Sequence, residues 1–578
     1  QGIAYTADFS FYFPSPFPQT PTRSPRRDPP EYAMPATLSS VSTAQFVHLP
    51  ADSNQALGIA NYAIDFLSGK LGPGPAASVL ERTERFHTDA VFCGLSALAL
   101  KTNAPTILRN EALEYPAGPN ELGARVFGSD QPCKSEKAIL ANCAAVREWD
   151  SNGTNFGYNP DLGHTAGEFG HNDFYAVAVA ACQELNLDGR TALLAMVCHD
   201  EIRGRLAEVF SLKTYKIDHV VHGAIASAAV YGALFALAGK TTAEQIESAI
   251  GMTVAHYIPW RAIRAGKQLS DSKGASAAIS TEVAVLSMKR SMRGFLGPRD
   301  IFRNPEAIFR FFEPTTEGAK RWTELAPAPF DLVLAHSGDD FAVMGMHFKL
   351  GLYEHQSAGA LQGLIDLIAE QPDLLSDPSG GNIKAIEIAA YEPAFGIIGN
   401  PAKMDPRTRQ SADHSMAYIV ATALRKALEH AAKQPLDTSG DAHDAAWKSL
   451  MLSPYDYKPD ESAIFNSTTR ALMQKIHFVH GGAEYDARYP EGIPTSIKIT
   501  AADNTTHDSG LVMFPAGHAR NTTADLDDIL AHKFRLLGRI AVKDPDAALA
   551  QLSNLADKSP EQIRDLYLFN LLEHPDFE

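Results

Sequence analysis

The chain is poor in cysteine. Its five cysteines, Cys93, Cys133, Cys143, Cys182 and Cys198, are scattered over 578 residues with no CxxC pair. That spacing supports neither a disulfide framework nor a structural zinc site, and it fits a reducing compartment. An iron–sulfur cluster, which needs closely spaced thiolates, has no signature either. Basic charge is also short: 51 Lys and Arg stand against 68 Asp and Glu, a net charge of −17. Nothing supplies a domain-wide basic face, so no nucleic-acid partner is expected. A small anion responds to the local field and is not excluded by the net charge. Internal repeats of fixed period are absent. Long apolar runs are scarce, and the one exception is Val220 to Gly239, which contains no Asp, Glu, Lys or Arg. Its apolar content is mostly Ala and Gly, and it carries His222 and Ser227. It reads as a buried helix of small residues, and no membrane partner is expected.

A length of 578 residues exceeds one compact core and predicts two or three domains. Residues 1–45 are rich in Pro, Ser and aromatics without helical period, which predicts a disordered extension. The chain opens at Gln1 and its first methionine is Met34; from there no basic side chain occurs before Lys70. A cytoplasmic location is therefore expected, and a mitochondrial one only if residues 1–45 are a genuine targeting segment. Residues 46–320 read as an all-helical domain, with apolar periodicity over Thr191–Phe210, Val220–Gly239, Ala243–Val254 and Ala275–Met288. Thr241 to Glu244 has the spacing of a capping box. Residues 321–520 read as a smaller α+β domain, in which 383–388 and 496–500 alternate as half-buried strands do. Residues 521–578 return to helix, over Leu526–Leu537 and Pro560–Leu572, and are expected to pack on the helical domain.

The richest stretch runs from Glu148 to Asp173. It holds Glu148-Trp149-Asp150-Ser151-Asn152-Gly153-Thr154, a glycine-rich loop, and Gly170-His171-Asn172-Asp173, between two alanine-rich runs. Loops carry chemistry when a rigid scaffold positions them. Two basic clusters follow: Arg203, Arg205, Lys213 and Lys216 ahead of Asp218-His219, then Arg261, Arg264, Lys267 and Lys273. An acid–histidine loop with two basic clusters suits a small, multiply charged anion and proton-transfer chemistry.

These motifs resemble the MmgE/PrpD family, which includes 2-methylcitrate dehydratase and cis-aconitate decarboxylase. The resemblance runs in islands over roughly residues 50–545: Val79 to Leu95, Glu148 to Thr154, Gly170 to Asp173, Asp218-His219, Arg264 to Gly274, Lys349 to His355, Asn400-Pro401-Ala402 and Phe514 to Arg520. It implies a mainly α protein, with a large all-helical domain and a smaller α+β lid. It also implies a homodimer and a tricarboxylate substrate bound between the domains, with no metal and no cofactor. Gly153 stands where the family loop has a second Asp, which suggests a lost site carboxylate and a substrate other than plain 2-methylcitrate.

Dehydrating a 2-alkylcitrate needs a base, an acid for the departing oxygen, and cations for three carboxylates. His171 and His219 are the candidate acid/base pair, because only histidine has an unperturbed pKa near neutrality. The ordinary alternative for a lone histidine is a hydrogen-bonded core residue, which is how His164, His222 and His518 are read. Asp150 would orient a histidine or act as base, against the alternative of a turn former. Lys273 would attract a substrate carboxylate. Arg264 and Arg203 would clamp carboxylates, with surface salt bridges as the alternative. Asn152 and Thr154 complete the loop's substrate contacts, and the resemblance brings Tyr353 and His355 in from the lid. The leading expectation is a cofactor-independent hydro-lyase giving an alkylaconitate. A cis-aconitate-type decarboxylase is the nearest alternative, and an inactive family member acting as a binding subunit is the second.

Overall fold

In the computed structural model, residues 45–264, 268–310, 326–575 and 577 are described. The expected N-terminal extension and Lys267 lie outside them. Nine helices carry the N-terminal half of the described chain: α1 (Gln55–Leu67), α2 (Ala77–Ala99), α3 (Asn103–Leu113), α4 (Ser135–Glu148), α5 (Ala176–Leu185), α6 (Gly189–Val209), α7 (Val220–Leu237), α8 (Ala243–His256) and α9 (Ser272–Met292). The protein is mainly α, as its periodicity predicts.

The charge-free run is the central helix α7, long and apolar enough to cross a membrane yet almost wholly buried among its neighbours. Its small residues explain how that burial works. Gly223 admits the Phe174 ring, and a side chain at Gly232 would sit 2.5 Å from Ile246 and 2.7 Å from Met288. Glycine costs helix propensity but lets the neighbours approach closely. The capping box falls one residue later than the sequence reading: Thr242 caps α8 with Gln245, not Thr241 with Glu244.

Short strands interrupt the helices. β1 (Phe46–Leu49) pairs antiparallel with β6 (Leu332–Ala335), and β2 (Ala124–Arg125) with β3 (Pro132–Cys133). Thr154–Phe156 (β4) and Phe169–His171 (β5) form an antiparallel ribbon inside the segment expected to be loop. The α+β part is built on a four-stranded sheet of β7 (Ile383–Ala390), β8 (Ile476–His480), β9 (Thr495–Ala501) and β10 (Thr506–Asp508), in the order β10-β9-β7-β8. β7 pairs parallel with β8 and antiparallel with β9. The alternating burial of β9 matches its alternating sequence.

Leu526–Ala541 is helical and lies along α2, where Lys533 is buried and pairs with Asp89 at 2.6 Å. The Lys533 ammonium also donates to the carbonyls of Ser151 (2.7 Å) and Lys349 (2.8 Å), tying two site segments together. The last predicted helix is shorter than expected: Pro560–Arg564 is helical, and turns and extended chain follow. All five cysteines are free and buried.

Candidate active site

The site begins where α4 ends. Trp149 leaves the helix with extended backbone and donates its indole N–H to Ser96 at 2.9 Å, which turns the following residues into the interior. Asp150, Ser151 and Asn152 are fully buried. The chain then enters β4, and the register sets Thr154 opposite His171. Gly153 faces away from the cavity: a Cβ there would lie 2.5 Å from the Phe86 ring and 3.2 Å from Asn172. The suggestion that this glycine marks a lost site carboxylate is therefore corrected. A side chain at this position would require the Phe86 ring to shift.

Asp150 is the hub of a buried charge cluster. Lys349 contacts its Oδ1, Arg147 approaches at 3.1 Å, His414 at 3.2 Å and Lys273 at 3.7 Å. Burial alone would raise this carboxyl, but Arg147, Lys349, His414 and Lys273 hold it well below the usual carboxylate range. Lys273 pairs with Asp413 at 3.2 Å, and His414 reaches Asp413 through Nδ1 at 2.7 Å. Burial brings Lys273 down to about 8 and His414 down to about 4, against the pull of Asp413 and Asp150. Asp150, Asp413 and His414 lie close enough together to hold a metal ion. Arg147, Lys349 and Lys273 already neutralise those carboxylates, so the donor set does not fit a divalent cation.

Above the hub lies a small, partly open cavity of about 50 Å³. His171 and His219 face each other in its wall with ring centroids 5.2 Å apart. His219 precedes the first turn of α7. Asp218 beside it makes a two-point pair with Arg264, whose guanidinium comes within 3.5 Å of His219 Nε2. Arg147 lies 3.4 Å from His171 Nε2. Burial, reinforced by Arg147 at His171 and by Arg264 and Arg147 at His219, pushes both imidazoles well below their ordinary value. Both are thus neutral near pH 7. Arg147, Arg261, Arg264 and Lys403 bring four cationic side chains to the cavity, while Phe156, Phe169, Ile397 and Ile398 supply apolar wall. Such a site can hold a multiply charged anion and accept a proton from it.

The structure brings His171, His219, Asp150, Thr154 and Arg264 together on this cavity. The other expected residues lie around it. Lys273 sits behind Asp150, in its ion pairs. The Asn152 amide donates to Asn172 (3.0 Å) and Asp173 (2.6 Å), bracing the ribbon. Arg203 is spent on Asp200, Asn155 and the Met346 sulfur. The Tyr353 hydroxyl accepts from the Leu350 N–H at 2.8 Å, and His355 stacks against His347 with 5.1 Å between centroids. None of these five lines the cavity. Arg147, Lys403, Asp413 and His414 are not singled out by the sequence, and Lys349 and Glu354 enter it only within the island Lys349 to His355. Of these, Arg147 carried a usable signal, since it stands three residues before Asp150 at the end of a helix.

Fold and cavity together define a mainly helical protein whose pocket sets two histidines beside four cationic side chains. The MmgE/PrpD N-terminal domain matches residues 59–319 and the MmgE/PrpD C-terminal domain matches residues 353–557. The chain belongs to the MmgE/PrpD family. It is 24% identical over 472 residues to a 2-methylcitrate dehydratase of Cupriavidus necator, covering 80% of this chain and 87% of that protein. It is 22% identical over 446 residues to the 2-methylcitrate dehydratase of Escherichia coli (strain K12), covering 74% and 82%. These relatives support a dehydratase-type, hydro-lyase family.

Proposed function

We propose that this protein is a hydro-lyase that dehydrates 2-methylcitrate or a longer 2-alkylcitrate to the corresponding alkylaconitate by acid/base elimination. The observation that carries the reading is the pair of neutral, facing histidines in a cavity ringed by four cations. A 2-alkylcitrate brings three carboxylates, and Arg261, Arg264, Lys403 and Arg147 offset that charge in a confined, low-dielectric space. One histidine takes the weakly acidic proton from the carbon beside a carboxylate. The electron pair forms the double bond as the C–O bond breaks, and the departing oxygen leaves as water once it is protonated. Asp150, in the cavity wall, holds Arg147, Lys349 and Lys273 in place. Phe156, Phe169, Ile397 and Ile398 give an alkyl substituent an apolar wall. The relatives' activity on 2-methylcitrate supports the same substrate class.

Proton NMR of the purified protein with 2-methylcitrate, a long-chain 2-alkylcitrate and cis-aconitate tests the reading. Vinyl or alkyl resonances of an alkylaconitate from either citrate are the expected result, and the preferred chain length identifies the substituent. An itaconate-type product from cis-aconitate would assign the decarboxylase instead. No turnover by the folded protein would point to a binding subunit.

A further inference from the structure

The proposed elimination needs a proton donor as well as a base, and the two histidines do not supply one. Both stand neutral near pH 7, so each can accept a proton but neither holds a spare one for the departing oxygen. Lys273 keeps its protons but is committed to Asp413 and Asp150 and does not line the cavity. The donor must lie on the same cavity wall and be protonated at working pH.

Glu354 meets both conditions. It lines the cavity with His171 and His219. Its backbone N–H donates to the Asp413 carbonyl at 2.9 Å, which fixes the residue at the start of the short turn His355–Ser357. Its carboxyl accepts the Gln356 backbone N–H at 2.9 Å and the Gln356 side-chain amide at 3.3 Å. Among the described residues it forms no ion pair, and Lys349, whose charge favours its ionisation, is turned onto Asp150. Asp150 opposes its ionisation and Lys349 and Arg147 favour it, while His171, His219, His414, Arg261, Arg264 and Lys403 line the same cavity and the Glu354 charge in turn raises Tyr391 and Tyr489. Burial and then Asp150 prevail, and the Glu354 carboxyl is pushed up to about 7. A trianionic substrate raises it further, so that binding itself loads the proton. One site thus holds neutral bases and a neutral acid whose surroundings have moved their pKa values in opposite directions.

We propose that Glu354 is the general acid of this cavity, the group that protonates the departing hydroxyl of the substrate. The proposal rests on the dehydratase reading above. The step balances without a co-reactant: a histidine takes the C–H proton, the C–O bond breaks, and the Glu354 proton completes water. Glu354 is then ionised and the histidine protonated, and proton exchange with solvent restores both.

The experiment has two arms, so that failure of the function and failure of this assignment are separable. In the first, calorimetry in two buffers of different ionisation enthalpy follows binding of tricarballylate, a tricarboxylate without a leaving hydroxyl, near pH 8. The unaltered protein should take up nearly one proton per site more than Glu354→Gln, which should bind the same ligand. Equal uptake in both proteins overturns the assignment, whatever the protein turns over. In the second, kcat for the 2-alkylcitrate preferred in the NMR experiment should fall about 10²–10⁴-fold in Glu354→Gln, as expected for loss of a general acid. The limb of its pH profile that reports an acid near 7 should vanish, while KM stays within a few-fold. Glu354→Asp, which retains a carboxyl, should recover part of kcat and restore that limb. A Gln variant with unchanged kcat or an unchanged pH profile refutes the proposal. If Glu354→Gln does not fold, the limb is read in Glu354→Asp, where its position must move.

Discussion

Asp150→Asn is the most informative single change, because it keeps the side chain's shape and removes only a charge. In the native protein the Asp150 carboxylate faces Arg147 at 3.1 Å, His414 at 3.2 Å, Lys273 at 3.7 Å and Lys349 in direct contact, all buried except the partly exposed His414. Without it, three cationic side chains keep their desolvation cost and lose their common counter-charge, leaving Asp413 beside Lys273 and Asp173, at 3.8 Å, beside Arg147. Breaking a buried ion pair from one side costs about 3–5 kcal/mol. That is a large share of the roughly 5–15 kcal/mol that hold a typical folded protein together. Part of the loss is relieved by proton release. Lys273, already down to about 8 with Asp150 helping to hold its proton, falls further and sheds it nearer neutrality. The assay is urea denaturation of the unaltered protein, Asp150→Asn, Lys349→Met and the double variant. The double variant should be less damaged than the two single effects summed, with a coupling of about 0.5–3 kcal/mol. A single Asp150→Asn variant within about 1 kcal/mol of the unaltered protein, or strict additivity in the cycle, would refute the claim that this carboxylate organises the site.

Three further outcomes follow from the same geometry. Burial lowers His87 and His518 to about 3 and His222 and His414 to about 4, so the unfolded chain binds these protons first. Their stabilisation is complete above the unfolded value of about 6.5 and is lost as pH falls toward the native values, each group contributing about 1.4 kcal/mol per pH unit. Denaturation midpoints should therefore drop steeply between about pH 6.5 and 4, and a flat profile would contradict the burial of these rings. Arg264→Lys cannot make the two-point pair with Asp218, and it should lower kcat/KM for the substrate about 10–100-fold, read by steady-state kinetics, with little change in thermal stability. Gly153→Asp, which restores the family's loop acid, should destabilise the fold by about 1–3 kcal/mol, because its Cβ meets the Phe86 ring at 2.5 Å. A neutral effect in denaturation would show that Phe86 can yield.

Much of the fold was legible because its signals are local. The apolar period of α6 to α9 and the alternation in β7 and β9 lie within single elements and survive in the structure with shifts of a few residues at their ends. The ribbon of β4 and β5 escaped notice because each strand is three residues long and the chain between them is rich in glycine. The site divides the same way. His171, Asp150 and Thr154 belong to one segment and were found together. The partners that set their electrostatics come from far along the chain: Lys349 lies 199 residues from Asp150, and Asp413 lies 140 from Lys273. Packing brings these residues together, and no spacing in the sequence encodes it. Arg203 illustrates the opposite error. Its partner Asp200 stands three residues earlier on the same helix, a local pairing that already offered an alternative to substrate binding.

The central claim is that a tricarboxylate is held by the cavity's cations with its reacting carbon between His171 and His219. A crystal structure with bound tricarballylate tests it most directly. The account predicts carboxylates against Arg261, Arg264 and Lys403, with the central carbons within reach of both imidazoles and of Glu354. A ligand bound elsewhere, or one whose carbon chain lies away from the histidine pair, would contradict it.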